Sequence, residues 1–379
     1  WSRTEIMTAF TVFFICAAIG GPLAGRLVHR YGSRKVISTG ALVCTIGYIL
    51  ISQMNGLWQY YIAYALIGFG VSATGPVITT LIVSNWFVRR RGMAIGAMSM
   101  GAGTAGLVFT PLVIVYLIPN LGWSHSYLTF ASITALISIP LAALVLRTKP
   151  ADVGLLPDRG NTSQISGIDD AVTLAAKGLP FKTALSTYTF WMLAAAILFI
   201  STHMGVMQSQ IPHLEDLGFS TGIVASTMSI VSITSAVGTL IFGWLSDRTT
   251  VKTGAVIGVT LITTSIIVLL FININSAPWF IWIYAVLLGL GIGGWMTAMS
   301  LLTSSNFGLI AYGTIYGVLN AFQSMGGAIA PIFSGYFYDS TGSYDRAFIT
   351  ILILIALGLP LVLLLRRPAA FSDQTFSHS

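Results

Sequence analysis

The sequence predicts an all-α protein that crosses a lipid bilayer many times, and three observations carry the prediction. Of its 379 residues, 55% are hydrophobic and only 8% charged, against about a quarter charged in ordinary soluble domains. The apolar residues gather into runs long enough to cross roughly 30 Å of hydrocarbon at about 1.5 Å per helical residue. Sixteen of the 18 Lys and Arg residues fall in one set of loops, with only Arg3 and Arg346 in the opposite set. By the positive-inside rule this asymmetry puts the basic loops and the C-terminus on the cytoplasmic side of a cell membrane. It also assigns the net charge of +7 to orientation rather than to a nucleic-acid partner.

The elements follow in chain order. Apolar runs occupy 6–25, 36–55, 58–85, 93–118 and 124–146, then 188–211, 220–245, 253–272, 277–302, 313–336 and 346–365. They are too long for strands and lack strict alternation, so a β-barrel is excluded. Between the two sets, 148–185 carries Pro150, Pro157 and Pro180 with Asp152, Asp158, Asp169 and Asp170, and reads as a cytoplasmic linker. The expected organisation is an N-terminal half over 1–147, the linker, a C-terminal half over 186–367 and a tail over 368–379. The sequon Asn161-Thr162-Ser163 lies on the cytoplasmic side and is expected to carry no glycan. Trp58, Trp86, Trp123, Trp191, Trp244, Trp279 and Trp282 stand near run ends, as an interfacial belt would. Cys16 and Cys44 are single residues inside apolar runs and are expected as free thiols.

One loop organises the chain. Gly25-Arg26-Leu27-Val28-His29-Arg30-Tyr31-Gly32-Ser33-Arg34-Lys35 sits between uncharged runs, and Gly243-Trp244-Leu245-Ser246-Asp247-Arg248, followed by Lys252, echoes it in the second half. A loop recurring once per half reads as an internal repeat of a polytopic membrane protein. This pattern resembles the loop motif of the major facilitator superfamily. Trp86-Phe87-Val88-Arg89-Arg90-Arg91-Gly92-Met93-Ala94-Ile95-Gly96, with Gly101, Gly103 and Gly106 beyond, is similar to the monocarboxylate transporters and their bacterial oxalate–formate relatives. So are Lys149 to Asp158 in the linker, Gly342-Ser343-Tyr344 before the last run, and Trp1-Ser2-Arg3. The resemblance implies the major facilitator fold, two pseudo-symmetric six-helix bundles. Eleven of the twelve helices are expected here, with the first absent.

Two departures from the family pattern bear on function. Where the first loop motif usually has Asp, this chain has His29. In the family that carboxylate faces the N-terminus of the eleventh helix, where the helix dipole favours negative charge, so the gate is expected to be held more weakly. The second half keeps the acid as Asp247, expected to pair with Arg89, Arg90 or Arg91. With Gly25, Arg30, Gly32, Arg34 and Arg248 these residues form the candidate gate. Carboxylate carriers of this branch usually place Arg four residues before the second motif's opening Gly. Here that residue is Thr239, and the position one turn earlier is Ser235. The aromatic that many relatives aim at substrate aligns with Thr74.

Every Asp, Glu, Lys and Arg falls in a loop or at a run end. A charge at the bilayer centre costs at least about 2.5–3.5 kcal/mol, so a central site here must use neutral polar groups. His203, Met207 and Gln210 share one helical face by spacing, as do Tyr316, Asn320 and Gln323. Trp295, beside Gly293 and Gly294, lies deeper than the belt tryptophans. His203 is the one deep group that titrates near neutral pH, which makes a proton the candidate coupling ion. Gly92, Gly96, Gly101, Gly103 and Gly106 are expected to let helices approach closely, and Gly289, Gly291, Gly293 and Gly294 to let their helix bend.

No Gly-x-x-x-x-Gly-Lys motif, His-Glu-x-x-His motif, clustered histidines or charged pore ring is present. A nucleotide-driven pump, a membrane enzyme, a metal or cofactor site and a channel are therefore not expected. The expected function is secondary transport by a monomeric carrier, alternating access about a central site for a small organic solute, first a monocarboxylate. A neutral or amphipathic solute, or a non-transporting receptor on the same scaffold, are the alternatives.

Overall fold

A computed structural model describes residues 1–87, 91–148, 150–154, 178–308 and 311–366. Some side chains inside described helices, including those of His29, Arg91 and Asp247, lie outside that set, as do Arg89, Arg90 and the sequon. Among the described residues the architecture is helical, with one isolated β-bridge between Gly178 and Gly308. Without water in the hydrocarbon, helices satisfy their own backbone donors and acceptors. Among the described residues nine segments are long and apolar enough to cross a membrane. Of the two expected runs outside that set, 93–118 includes residues outside the described set, and 313–336 carries Asn320 and Gln323, which lower its mean hydropathy.

Helix α1 (Arg3–Tyr31) begins at a capping box: the Ser2 hydroxyl accepts from the Glu5 N–H, and the Glu5 carboxylate accepts from the Ser2 N–H. It ends at Gly32, whose φ of +80° reverses the chain directly into α2 (Ser33–Ser52). That backbone geometry strains any residue with a Cβ, so Gly32 has a structural reason to be glycine. The third run is broken into α3 (Leu57–Thr74) and α4 (Pro76–Trp86). Gly75 is extended at the break, and Pro76 takes the first helical position, where its missing N–H costs nothing.

The next two runs form α5 (Arg91–Pro111), α6 (Ile118–Ile133) and α7 (Ile139–Leu144), joined by wide π-helical turns. Pro140 removes a backbone donor just after the second of those turns. Gly122, at φ +77°, marks the reversal between the two runs, within a residue or two of the expected boundary.

The described end of the linker docks on the C-terminal half. The Leu179 N–H donates to the Phe307 carbonyl at 2.9 Å, and α8 (Phe181–Leu185) follows. The run expected at 188–211 is split into α9 (Tyr188–Ile200) and α10 (His203–Asp216). At the break Met204 and Gly205 donate to carbonyls three residues back, and the Thr202 hydroxyl takes the Phe199 carbonyl. Sequence periodicity could not show this tightening, because Ser201 and Thr202 fit a helix equally well by composition.

Four long helices follow: α11 (Thr221–Arg248), α12 (Val251–Leu270), α13 (Pro278–Phe307) and α14 (Tyr312–Thr341). The last, α15 (Asp345–Leu364), follows the left-handed Gly342 that caps α14. Helix α13 runs unbroken from Pro278 to Phe307. Its glycines seat two neighbours: Gly293 faces Gly238 and Thr239 of α11, while Gly291 lies against Gly258 and Ile262 of α12. Trp58, Trp123, Trp191, Trp244, Trp279 and Trp282 are exposed as a belt requires, Trp295 is fully buried, and both cysteines are free.

Close approach also governs α14. A Cβ on Gly326 would run into the Leu198 carbonyl of α9, whereas one on Gly317 would meet nothing within 4 Å. Gly326→Val should therefore destabilise the fold by about 1–3 kcal/mol, read as a lower Tm in detergent, while Gly317→Ala should leave Tm unchanged or slightly raised. Equal effects at the two positions would contradict this packing.

Candidate functional site

The polar positions of α14 recur down one side of the helix, and its neighbours fix what each side chain can do. Tyr312 and Tyr316 stack with ring centres 5.4 Å apart, and the Tyr312 hydroxyl sits 2.8 Å from the Ser300 Oγ of α13. One turn on, Asn320 is half-buried and faces α1, with its Nδ2 4.0 Å from where a Cβ on Gly21 would stand. Gln323 turns the other way, its Nε2 3.6 Å from the Met296 Sδ of α13.

Gln210 of α10 is already committed. Its Oε1 accepts from the Tyr284 hydroxyl at 2.9 Å, and its Nε2 donates to the Met207 carbonyl at 3.2 Å. His203 is fully buried at the start of α10, with Nδ1 2.8 Å from the Ile200 carbonyl and no hydrogen-bond partner for Nε2. Trp295 is equally buried, and its Nε1 has no partner either.

Two expected positions lie apart from this group. Thr74 bonds to carbonyls of its own helix, and its methyl group packs over Gly40 of α2. Thr239 is 3% exposed and bridges the halves: its hydroxyl reaches the Gly96 carbonyl of α5 at 3.3 Å and the Ala236 carbonyl at 2.7 Å. Its own carbonyl accepts from Thr297. Of the gate residues, Gly25 and Gly32 are described in full, Arg30 lies over the Tyr31 ring, and Arg248 lies 4.5 Å over the Trp244 ring. The expected pairing of Asp247 with Arg89, Arg90 or Arg91, and the side-chain position of His29, lie outside the described residues.

Sequence reasoning missed a latch at the end of the bundle opposite the basic loops. Asp339, in the last turn of α14, accepts from the Arg3 N–H at 3.3 Å, the Thr4 N–H at 2.9 Å and the Thr4 hydroxyl of α1. Arg3 also pairs with Asp216 at the end of α10, 3.3 Å away, and lies over the Tyr338 ring. A signal existed, because an acid in the last turn of a helix opposes its own dipole. Such a residue asks for donors from elsewhere, and the first turn of α1 supplies them. Partial desolvation pushes the Asp339 carboxyl up, but the Thr4 hydroxyl and the two backbone donors outweigh it and hold it below the usual carboxylate value.

Chemically, the interior offers aromatic faces, amides and hydroxyls, with no grouping of metal ligands among the described residues. It can hold a small solute by shape and neutral hydrogen bonds. Charge is confined to the ends.

Two outcomes are expected from this geometry. Asp339→Asn removes the charge that three donors share, but the site is exposed, so the effect should be about 1 kcal/mol, a roughly fivefold shift toward an open far end. It reads as faster labelling of a cysteine placed at Gly327; an unchanged rate would exclude a latch. Because the Asp339 carboxyl is lowered, its contribution holds above the ordinary carboxylate range and fades only below it, so acidification to about pH 5 should leave the latch closed. Thr239→Arg should reduce folded yield and abolish activity whatever the solute, since Thr239 has no space beside Gly96; an active variant would contradict that contact.

Comparison with known proteins gives this architecture its relatives. Residues 1–331 match the family model described as Major Facilitator Superfamily. The chain is 24% identical to Monocarboxylate transporter 13 of Bos taurus, over 94% of this chain and 79% of the relative. It is 26% identical to Monocarboxylate transporter 11 of Homo sapiens, over 86% and 68% respectively. It is 23% identical to the uncharacterized MFS-type transporter YhjX of Escherichia coli (strain K12), over 83% and 75%. A family match across most of a many-times-crossing helical chain makes this a membrane transporter rather than an enzyme, and the chain belongs to the Major Facilitator Superfamily.

Proposed function

We propose that this secondary transporter carries a small monocarboxylate by alternating access, with halves spanning 1–147 and 186–367 rocking about a site on α14 and α10. The observation that carries the reading is the stripe Tyr316, Asn320 and Gln323, whose amides turn to both sides at mid-helix. Buried amides in lipid need partners, and in this reading Asn320, at the seam with α1, takes a solute as its partner; its approach to Gly21 supports this. The likeness to proteins named monocarboxylate transporters supports the substrate class. His203 supplies the proton site: with Nδ1 engaged by a carbonyl, Nε2 is the nitrogen open to protonation. Linker and C-terminus are cytoplasmic in this reading, which the loop charges support.

An uncharged interior favours one competitor, a neutral solute. Flux into proteoliposomes separates them. Acetate, lactate and butyrate should be carried and accelerated by an inward proton gradient, and Asn320→Ala should cut flux at least about tenfold. His203→Gln should retain exchange but lose the response to the gradient. Transport of neutral analogues with none of the acids would overturn the carboxylate reading, and a gradient response surviving in His203→Gln would remove His203 as the proton site.

A further inference from the structure

Contact between α1 and α14 fades along their length. At the far end Thr4 lies against Gly335, then Thr11 donates to the Ala328 carbonyl at 2.6 Å and Phe14 covers Gly327. At mid-depth Asn320 is 4.0 Å from a Cβ built on Gly21, and one turn later a Cβ built on Gly25 would meet nothing within 4 Å. Where the helices part, a cavity of about 120 Å³ opens between the halves. Its apolar wall is Val77, Ile78 and Leu81 of α4 with Phe181 and Val318, and Arg26 brings the single charge among its lining residues. Arg26 is exposed and has no acidic partner among the described residues. The first turn of α14, through Gly313 and Thr314, forms the remaining side and adds the positive end of a helix dipole.

From this arrangement we infer that the cavity is an entry subsite at the basic face, holding a monocarboxylate with its carboxylate on Arg26 and its short alkyl end on the Ile78–Leu81 wall. The inference rests on the carboxylate reading above and deepens it. The space is well under the 300–1,000 Å³ or so of drug-sized pockets, and a single cation facing an apolar wall suits one carboxylate rather than two. Its inner end reaches Gly21, beside Asn320, and Gln323 stands about one turn beyond Asn320, so the subsite adjoins the central site on its basic side. Since Arg26 is in contact with water, its pull is screened by salt.

Half-saturation for acetate, lactate and butyrate, measured from each face in proteoliposomes of sorted orientation, tests the subsite. For Arg26→Gln the KM from the basic face should rise about three- to tenfold and lose its dependence on ionic strength, with the opposite face unchanged. Arg26→Lys should restore most of the affinity, and Lys35→Gln, in the first turn of α2 and outside the cavity, should alter neither face. An unchanged KM, or an equal rise on both faces, would overturn the subsite while leaving the carboxylate reading intact. If wild type carries none of the three acids, the carboxylate reading falls and the subsite with it. Should Arg26→Gln not fold, Thr314→Cys in a background with Cys16 and Cys44 replaced by Ser gives a second measurement. Labelling from the basic face should be slowed by butyrate in that protein, and labelling indifferent to butyrate would equally overturn the subsite.

Discussion

The seam between α1 and α14 joins the two sets of helices, and it is made largely of small residues and one shared carboxylate. Lipid tails are as apolar as leucine, so helices in a bilayer gain little from hiding apolar side chains against each other. They associate through close van der Waals contact and a few hydrogen bonds. Gly327 and Gly335 bring the backbones together, Thr11 reaches a carbonyl across the gap, and Asp339 fastens the far end to the first turn of α1. On the other flank Thr239 and Gly96 make a similar contact between α11 and α5.

Within the C-terminal half the packing is of a different kind. A continuous core runs from Phe190 and Leu193 through Tyr284 and Trp295 to Phe348 and Ile355, with glycines of α13 seating helices on two sides. Polar groups there are mostly spent on one another: Gln210 on Tyr284, Tyr312 on Ser300, Thr297 on the Thr239 carbonyl. This suits a body that moves as a unit, because an internal bend would leave bonds unmade in a medium with no water to replace them. The buried polar atoms left over among the described residues of this half include Nε2 of His203, Nε1 of Trp295, and the hydroxyls of Ser201, Ser209, Ser246 and Tyr344.

Much of this was legible in the sequence, since it follows from composition and the cost of charge in hydrocarbon. Runs of spanning length, basic loops on one side and uncharged interiors determine a many-times-crossing helical protein before any coordinates exist. The echo of Gly25–Lys35 at Gly243–Arg248 pointed to a repeat and to the family. Gly32 lies in the loop the sequence singles out, and the structure gives it a positive φ. The tertiary structure alone decided which polar residues remain available. Spacing put Gln210 and Gln323 on plausible faces, but only the neighbours from α13 reveal that Tyr284 and Met296 meet them. It likewise removed Thr239 from any open space, split one run at Ser201–Thr202, and set Asp339 against residues more than 300 positions away in the chain. Periodicity along a helix reports which side chains share a face; what lies opposite that face is set by partners distant in sequence, and no local pattern contains it.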